Sequence, residues 1–400
     1  MTSAIIITFC SLLLIAYIFD ITSSKTKIPS VILLLLLGLV FRQFTNILFF
    51  TLPDFSFILP ILGTIGLILI VLDGALELEF NNSKLGLINK SFFGTLIPLV
   101  LMSFLLAYFF HVFGNISYKI ALINAIPFCI IGSAIAIPSV RTFNTFNKEY
   151  VIYESSLSDI LGVIFFNFII LNNDYGLNSF ADFGYQMFLI IMISIISTIC
   201  ISLLLSKIDH HIKFIPIILL IILIYSIIKI YHLPSLIFVL IFGLFIGNLD
   251  ELKKFKWINL IKPNEIIKEE KKLKELTIEA AFLIRSMFFL LFGYLLNISE
   301  ILNTHTFIWS FTIVAIIFIF RITQLKLSKL PIYPLVFIAP RGLITILLFL
   351  SIEVPNKIPF VNSSLVIQVI LLTAIIMMIG LLTYSKKEEK DTVKSQILLE

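Results

Sequence analysis

The chain has 400 residues, of which 59% are hydrophobic and only 13% are charged, with a formal net charge of +5. Soluble domains average roughly 45–50% apolar and about 25% charged residues, and the mean hydropathy here is +1.09. Composition therefore excludes a water-soluble globular domain and predicts an all-α membrane protein in contact with the lipid bilayer. The three cysteines lie within apolar runs and form no spaced metal-binding pattern. We expect no cofactor.

A helix needs about 20 mostly apolar residues to cross a bilayer. The sequence predicts about thirteen such spans, with Pro234 separating the eighth from the ninth. The first span is a membrane helix rather than a signal peptide, because no basic residue precedes its apolar stretch. In chain order, the predicted spans are 3–19, 29–50, 56–78, 91–113, 118–141, 152–172, 183–206, 212–230, 233–249, 278–298, 305–325, 331–352 and 361–384.

Basic residues flank these spans unequally. The ends of even-numbered spans carry four of the 29 basic residues, Arg42, Lys119, Lys229 and Lys357, whereas 23 follow odd-numbered spans. Because cytoplasmic loops are enriched in Lys and Arg, this asymmetry predicts an outside N-terminus and a cytoplasmic C-terminus. The abundance of Ile, Phe, Lys and Asn is typical of an AT-rich bacterial genome, so we expect a multi-pass protein of a bacterial inner membrane.

The longest loop, 250–277, is rich in Lys and Glu and is predicted to be a cytoplasmic linker. Within it, Glu265–Leu276 could form a short surface helix; a solvated linker near anionic lipid is the favoured interpretation. Residues 1–385 form the predicted transmembrane domain, and residues 386–400 form a short cytoplasmic tail.

Ionisable residues inside apolar spans are informative, because a charge in lipid is costly unless it is paired or hydrated. Asp159 lies in the sixth span, and Ser155 lies four residues earlier on the same helical face. Together they offer carboxylate and hydroxyl oxygens, the ligands that hard cations prefer. Desolvation disfavours the bare charge of a lone carboxylate, so such a group can hold either a proton or a cation near neutral pH.

Two arginines inside predicted spans, Arg285 and Arg341, need counter-ions because an unpaired buried charge is costly. Glu154 with Arg341 is the preferred structural pair. Arg285 would then lie nearer Asp159 or serve a second pair, and exchanged partners stay possible. Asp73, one acid in an apolar helix, either supplies a second oxygen ligand or faces cytoplasmic water.

The fifth and twelfth spans both contain Pro and Gly in mid-span, including Gly132 and Gly342. Such interruptions predict discontinuous helices, although ordinary proline kinks are the alternative. The twelfth span comes seven spans after the fifth. A structural unit repeated after an odd number of spans has the opposite orientation in the membrane. We therefore expect two inverted six-helix repeats at about 1–172 and 212–385, with freed carbonyls near Ser133 completing a cation shell.

Several segments resemble motifs of the monovalent cation:proton antiporters, the sodium/proton exchanger superfamily, nearest its NhaP-like branch. The likeness covers nearly the whole chain. The segments that carry it are Leu72-Asp73-Gly74-Ala75-Leu76-Glu77-Leu78, Gly132-Ser133-Ala134-Ile135-Ala136, Glu154-Ser155-Ser156-Leu157-Ser158-Asp159, Phe288-Phe289-Leu290-Leu291-Phe292-Gly293 and Pro340-Arg341-Gly342-Leu343.

The resemblance implies a secondary antiporter rather than an enzyme, with a core domain that moves like an elevator against a dimerisation scaffold. Its implied cargo is Na⁺, or K⁺ or Li⁺, exchanged for H⁺ by alternating access, with a role in pH homeostasis. The implied ion-binding residues are Asp159, Ser155, Ser158, Asp73 and Ser133, with Asp159 holding the cation and the proton in turn. The resemblance also implies the stabilising pair of Glu154 and Arg341.

Two positions depart from the family pattern. Ser158 stands where the sixth-helix motif has Asn and the electrogenic branch has Asp, which favours one proton per cation. Ala134 stands where the family has an acid in the fifth helix, which leaves K⁺ possible.

Two other classes of function are alternatives to exchange. An organic-anion transporter on a related inverted-repeat fold would need groups that bind a carboxylate, whereas Asp73 and Asp159 are acids. A membrane enzyme acting on a lipid-linked substrate would usually carry a large outer loop with catalytic acids or histidines, and the predicted outer loops are short. No nucleic-acid-binding motif is present.

Overall fold

The computed structural model describes residues 2–26, 28–47, 55–78, 84–140, 143–172, 177–207, 213–231, 233–253 and 263–397. Several residues used in the count of basic residues lie outside these ranges, namely Lys27, Arg141 and the basic residues of 254–262. The last three residues of the predicted tail, 398–400, also lie outside them.

The described part of the chain is helical, without strands. Its α-helices are α1 (Thr2–Thr26), α2 (Ser30–Ile47), α3 (Ile58–Glu77), α4 (Leu85–Gly114), α5 (Tyr118–Cys129), α6 (Ser133–Ser139), α7 (Thr145–Leu171), α8 (Leu177–Lys207), α9 (Phe214–Ile230), α10 (Leu236–Gly247), α11 (Leu249–Leu252), α12 (Pro263–Leu295), α13 (Ile298–Ile301), α14 (Thr304–Leu327), α15 (Ile332–Leu335), α16 (Leu343–Ser351) and α17 (Ser363–Ile397), with a 3₁₀ turn at Val354–Asn356.

Within the described ranges, eight helices are long and apolar enough to cross a membrane, and four shorter apolar helices accompany them. The shorter ones are Ile7–Ser23, Ser30–Thr45, Phe214–Ile230 and Leu236–Gly247. This pattern confirms the prediction of an all-α, multi-pass membrane fold. The predicted span 331–352 is divided between α15 and α16. The total of thirteen spans and the inverted repeats stay predictions.

The start of α12 differs from the sequence-based boundary. This helix begins at Pro263, so much of the predicted linker 250–277 is helical, and Glu265–Leu276 is the first part of a 33-residue helix. No further proline or glycine interrupts the stretch until its last turn, and Lys, Glu and Leu are strong helix formers. Lys274 Nζ lies 3.9 Å from an oxygen of Glu77 at the end of α3.

The helices pack in two groups. In one group, α12 packs against α2 and α3, and α10 packs against α3 and α8. In the other group, α4 packs against α5, α7 and α14, α6 packs against α7, and α14 packs against α17. Fewer contacts join the groups, and they run mainly from α3 to α16, α7 and α6. The candidate site lies at this boundary.

Candidate functional site

Two helix interruptions meet at the centre of the second group. After α5 ends at Cys129, the chain is not helical until α6 begins at Ser133. The second interruption separates α15 from α16, and the Gly132 N–H donates to the Pro340 carbonyl at 2.9 Å. A Cβ on Gly132 would lie only 3.1 Å from the backbone nitrogen of Gly342. The predicted discontinuous helices are therefore present and cross in direct contact.

Arg341 caps the interrupted end of α5. Its Nε donates to the Phe128 carbonyl at 2.6 Å, its Nη1 to the Ala339 carbonyl at 2.8 Å and its Nη2 to the Cys129 carbonyl at 3.5 Å. The side chain is 1% exposed. Carbonyls at a helix C-terminus carry partial negative charge and favour a cation. Backbone oxygens thus surround this guanidinium.

Glu154 pairs with Arg321, so the predicted pair of Glu154 and Arg341 is wrong. Arg321 Nη1 donates to Glu154 Oε1, which also accepts from the Tyr150 hydroxyl at 2.8 Å and from Gln324 Nε2 at 2.6 Å. Arg321 is 3% exposed. Arg321 lies within α14, and its guanidinium is buried because it contacts Glu154 and donates from Nε to the Leu335 carbonyl at 3.0 Å.

Arg285 serves a different pair, at the boundary between the helix groups. Its Nη2 lies 3.6 Å from Asp20 Oδ1 on α1, and its Nη1 donates to the Ala134 carbonyl at 3.4 Å. This is the second pair that the sequence left open. Asp20 was not among the predicted ion-pair partners, although it is an acid near the end of an apolar helix.

Asp159 is 1% exposed and contacts the start of α6. The Ser133 hydroxyl donates to Asp159 Oδ2, and the Ser133 N–H donates to the same oxygen at 3.4 Å. Asp159 Oδ1 is buried and has no hydrogen-bond partner among the described residues. No ion pair joins Asp159 to a described lysine or arginine. One oxygen of this buried carboxyl group thus makes no hydrogen bond to the part of the chain that the structure describes.

The other predicted ligands have different surroundings. The Ser155 hydroxyl donates to the Val151 carbonyl within its own helix at 2.7 Å. The Ser158 hydroxyl accepts from the Ile131 N–H at 2.9 Å, so it supports the interruption after α5. The structure thus brings Ser133 directly to Asp159, whereas Ser155 and Ser158 make their hydrogen bonds to the backbone.

A cleft of about 720 Å³ leads to this region along the boundary between the helix groups. Glu77 and Lys148, at the ends of their helices, line it together with Asp73 and Ser133. In all, four carboxylates and two basic groups line the cleft: Asp20, Asp73, Glu77 and Glu279 with Lys148 and Arg285. An acid-rich cleft raises the local concentration of cations.

The donor set around the cleft consists of carboxylate, hydroxyl and carbonyl oxygens, which suit hard cations. The described residues contain no cluster of three or more His, Cys, Asp or Glu side chains with the spacing of a metal centre. The carboxylate and hydroxyl oxygens of Asp73, Ser133 and Asp159 are carried by α3, α6 and α7.

Sequence reasoning missed the partners of Glu154. Arg321 and Gln324 are spaced three residues apart in an otherwise apolar helix, and Tyr150 precedes Glu154 by four. Both spacings place the polar side chains on one helical face. That shared face was the available signal.

Comparisons with known proteins identify the family and the fold. A family model described as "Sodium/hydrogen exchanger, transmembrane" matches residues 10–385. The fold is similar to a structure of the sodium proton antiporter MjNhaP1 from Methanocaldococcus jannaschii at pH 8, with a TM-score of 0.65, 19% identity and 96% of each chain covered. A second structure of that protein, from an electron-microscopy map, gives a TM-score of 0.65 at 18% identity, covering 96% of this chain and 95% of the other. No curated protein matches the chain in sequence.

Proposed function

Because the chain belongs to the sodium/hydrogen exchanger family, we propose that Asp159 binds Na⁺ and H⁺ in turn and so couples their exchange. Members of this family are transporters rather than enzymes, and cation/proton antiport follows from the membership. The observation that carries the proposal is the buried Asp159 carboxyl group, which has one oxygen without a hydrogen-bond partner among the described residues and lies next to an acid-lined cleft.

The coupling follows from electrostatics. A carboxylate removed from water is unstable as a bare anion, and either one proton or one cation neutralises it. The Ser133 hydroxyl can donate to the ionised carboxylate, or it can turn a lone pair towards a bound cation. Since both ligands need the same carboxylate, they exclude each other, and the exchange is obligatory.

Several finer features belong to the proposal. A single carboxylate beside Ser158 supports one proton per cation. Na⁺ is the proposed cargo, with Li⁺ and K⁺ as the other candidates, and Ser155 and Asp73 are proposed further ligands. The excess of basic residues after odd-numbered spans supports a cytoplasmic C-terminus in a bacterial inner membrane. Family likeness supports a homodimer and a role in pH homeostasis.

Alternating access is supported by the packing of the helices. The two groups meet along few contacts, chiefly on α3, so one group can slide against the other without unpacking a large interface. In this scheme α6 and α7 carry Ser133 and Asp159 past α3. The cleft is the cytoplasmic path, since Lys148 and Glu77 lie at helix ends that the basic-residue count assigns to the cytoplasm.

Replacement of Asp159 by asparagine tests the proposal. Asparagine keeps the shape of the side chain and cannot exchange a proton, so Na⁺-driven proton movement in everted vesicles should fall to background. Asp182→Asn, at an exposed acid, is the matched control and should retain activity. Comparable expression and elution of both variants would establish that they fold. Full exchange by Asp159→Asn would refute the proposed site.

A further inference from the structure

A buried hydroxyl of α7 faces α3 beside the candidate site. Ser156 is 3% exposed, and its Oγ has no hydrogen-bond partner among the described residues. A Cβ built on Gly74 would lie 2.8 Å from this oxygen, so the missing side chain of Gly74 makes room for it. Buried polar groups are normally hydrogen-bonded. An unsatisfied hydroxyl at a close helix contact therefore needs an explanation.

Two carboxyl groups are close in the sequence to the residues of this contact. Asp159 follows Ser156 by three residues on α7, a spacing that makes the two side chains neighbours on the helix surface. Its Oδ1 is likewise buried without a partner in the described part of the chain. On the opposing helix, Asp73 directly precedes Gly74 and lines the cleft. α7 thus carries two buried oxygens without hydrogen-bond partners among the described residues, one of them at the contact with Gly74, and the Asp73 carboxylate lines the adjoining cleft.

We propose that the Ser156 hydroxyl is a ligand of the transported cation, which would then lie between α7 and α3. The inference rests on the proposed function, because it requires Asp159 to bind the cation. A hard cation needs several oxygen ligands, whereas a proton needs one. Ser156 therefore strengthens cation binding without strengthening proton binding.

This difference defines the expected behaviour of Ser156→Ala in proteoliposomes that contain the full chain. Losing one oxygen ligand should raise the KM for Na⁺ about tenfold, the size of one hydrogen bond to a charged group, while the maximal rate stays within about twofold. Gly74→Ala should also raise this KM, since the Cβ of the introduced alanine would displace the Ser156 hydroxyl. Ser103→Ala is the matched control, because this buried α4 serine donates to the Leu99 carbonyl at 2.7 Å.

A KM for Na⁺ that stays at the wild-type value in both Ser156→Ala and Gly74→Ala would overturn the inference, as would an equal rise in Ser103→Ala. Asp159→Asn, assayed in the same liposomes, separates this failure from that of the proposed function. If Asp159→Asn is inactive and the Ser156 variant is unchanged, only the Ser156 ligand is wrong. If Asp159→Asn still exchanges Na⁺ for H⁺, the proposed function itself fails.

Discussion

Replacing Arg321 with methionine should destabilise the protein strongly, because Glu154 then loses its buried ion-pair partner. The substitution removes the guanidinium that pairs with Glu154, and that carboxylate is only 1% exposed in the native structure. Breaking a buried ion pair by removing one partner costs about 3–5 kcal/mol. We expect the lower part of that range, because Tyr150 and Gln324 continue to donate to Glu154 Oε1 at 2.8 and 2.6 Å.

A double-mutant cycle turns this magnitude into a test of the pairing. Glu154→Gln combined with Arg321→Met removes both charges. The double variant should therefore lose less free energy of unfolding than the two single variants added together, by about 2 kcal/mol or more. Glu154→Gln combined with Arg341→Met should be additive within about 0.5 kcal/mol, since Arg341 bonds to carbonyls. Unfolding by SDS in mixed micelles, followed by tryptophan fluorescence, measures each free energy. A larger coupling to Arg341 than to Arg321 would refute the reasoning.

Two further predictions concern the crossing point and the cleft. Gly132→Ala should destabilise the protein by about 1–3 kcal/mol, because its Cβ would lie 3.1 Å from the Gly342 nitrogen; the same SDS titration measures this, and unchanged stability would contradict the described contact. Lys148→Gln should lower the KM for Na⁺, because four carboxylates then face only one basic group in the cleft. The difference in KM between Lys148→Gln and the wild type should shrink as the ionic strength rises. A KM for Na⁺ at low salt that is higher in Lys148→Gln than in the wild type would contradict an electrostatic role for the cleft.

Sequence reasoning was most successful where a local rule determines structure. Long apolar runs predicted membrane helices because lipid requires every backbone group to be satisfied within the helix. Gly132 and Gly342 predicted interruptions in two specific spans, and the structure contains both. Local rules also predicted that Asp159 is buried, since it lies within the predicted span 152–172.

Side-chain partners were predicted less well, because they depend on contacts between helices that are distant in the chain. Arg321 and Glu154 are 167 residues apart, and both arginines considered for the pair were chemically adequate. The actual partner, Arg321, was not one of those two, because only the packing of α14 places its guanidinium next to Glu154 on α7. Ser155 shows the same limit: its spacing from Asp159 is correct, yet its hydroxyl donates to the Val151 carbonyl.

The capping of α5 by Arg341 has a consequence for how transport responds to the membrane potential. Glu154 and Arg321 neutralise each other, so among the described residues the buried charge of the helix group that moves in the proposed scheme depends on Arg341 and Asp159. With Asp159 ionised, these two formal charges cancel; with either Na⁺ or H⁺ bound, one positive charge remains. On the proposed scheme, the sodium-loaded and proton-loaded carriers therefore cross the voltage with identical charge, and the electric field exerts no net work over a complete one-for-one cycle.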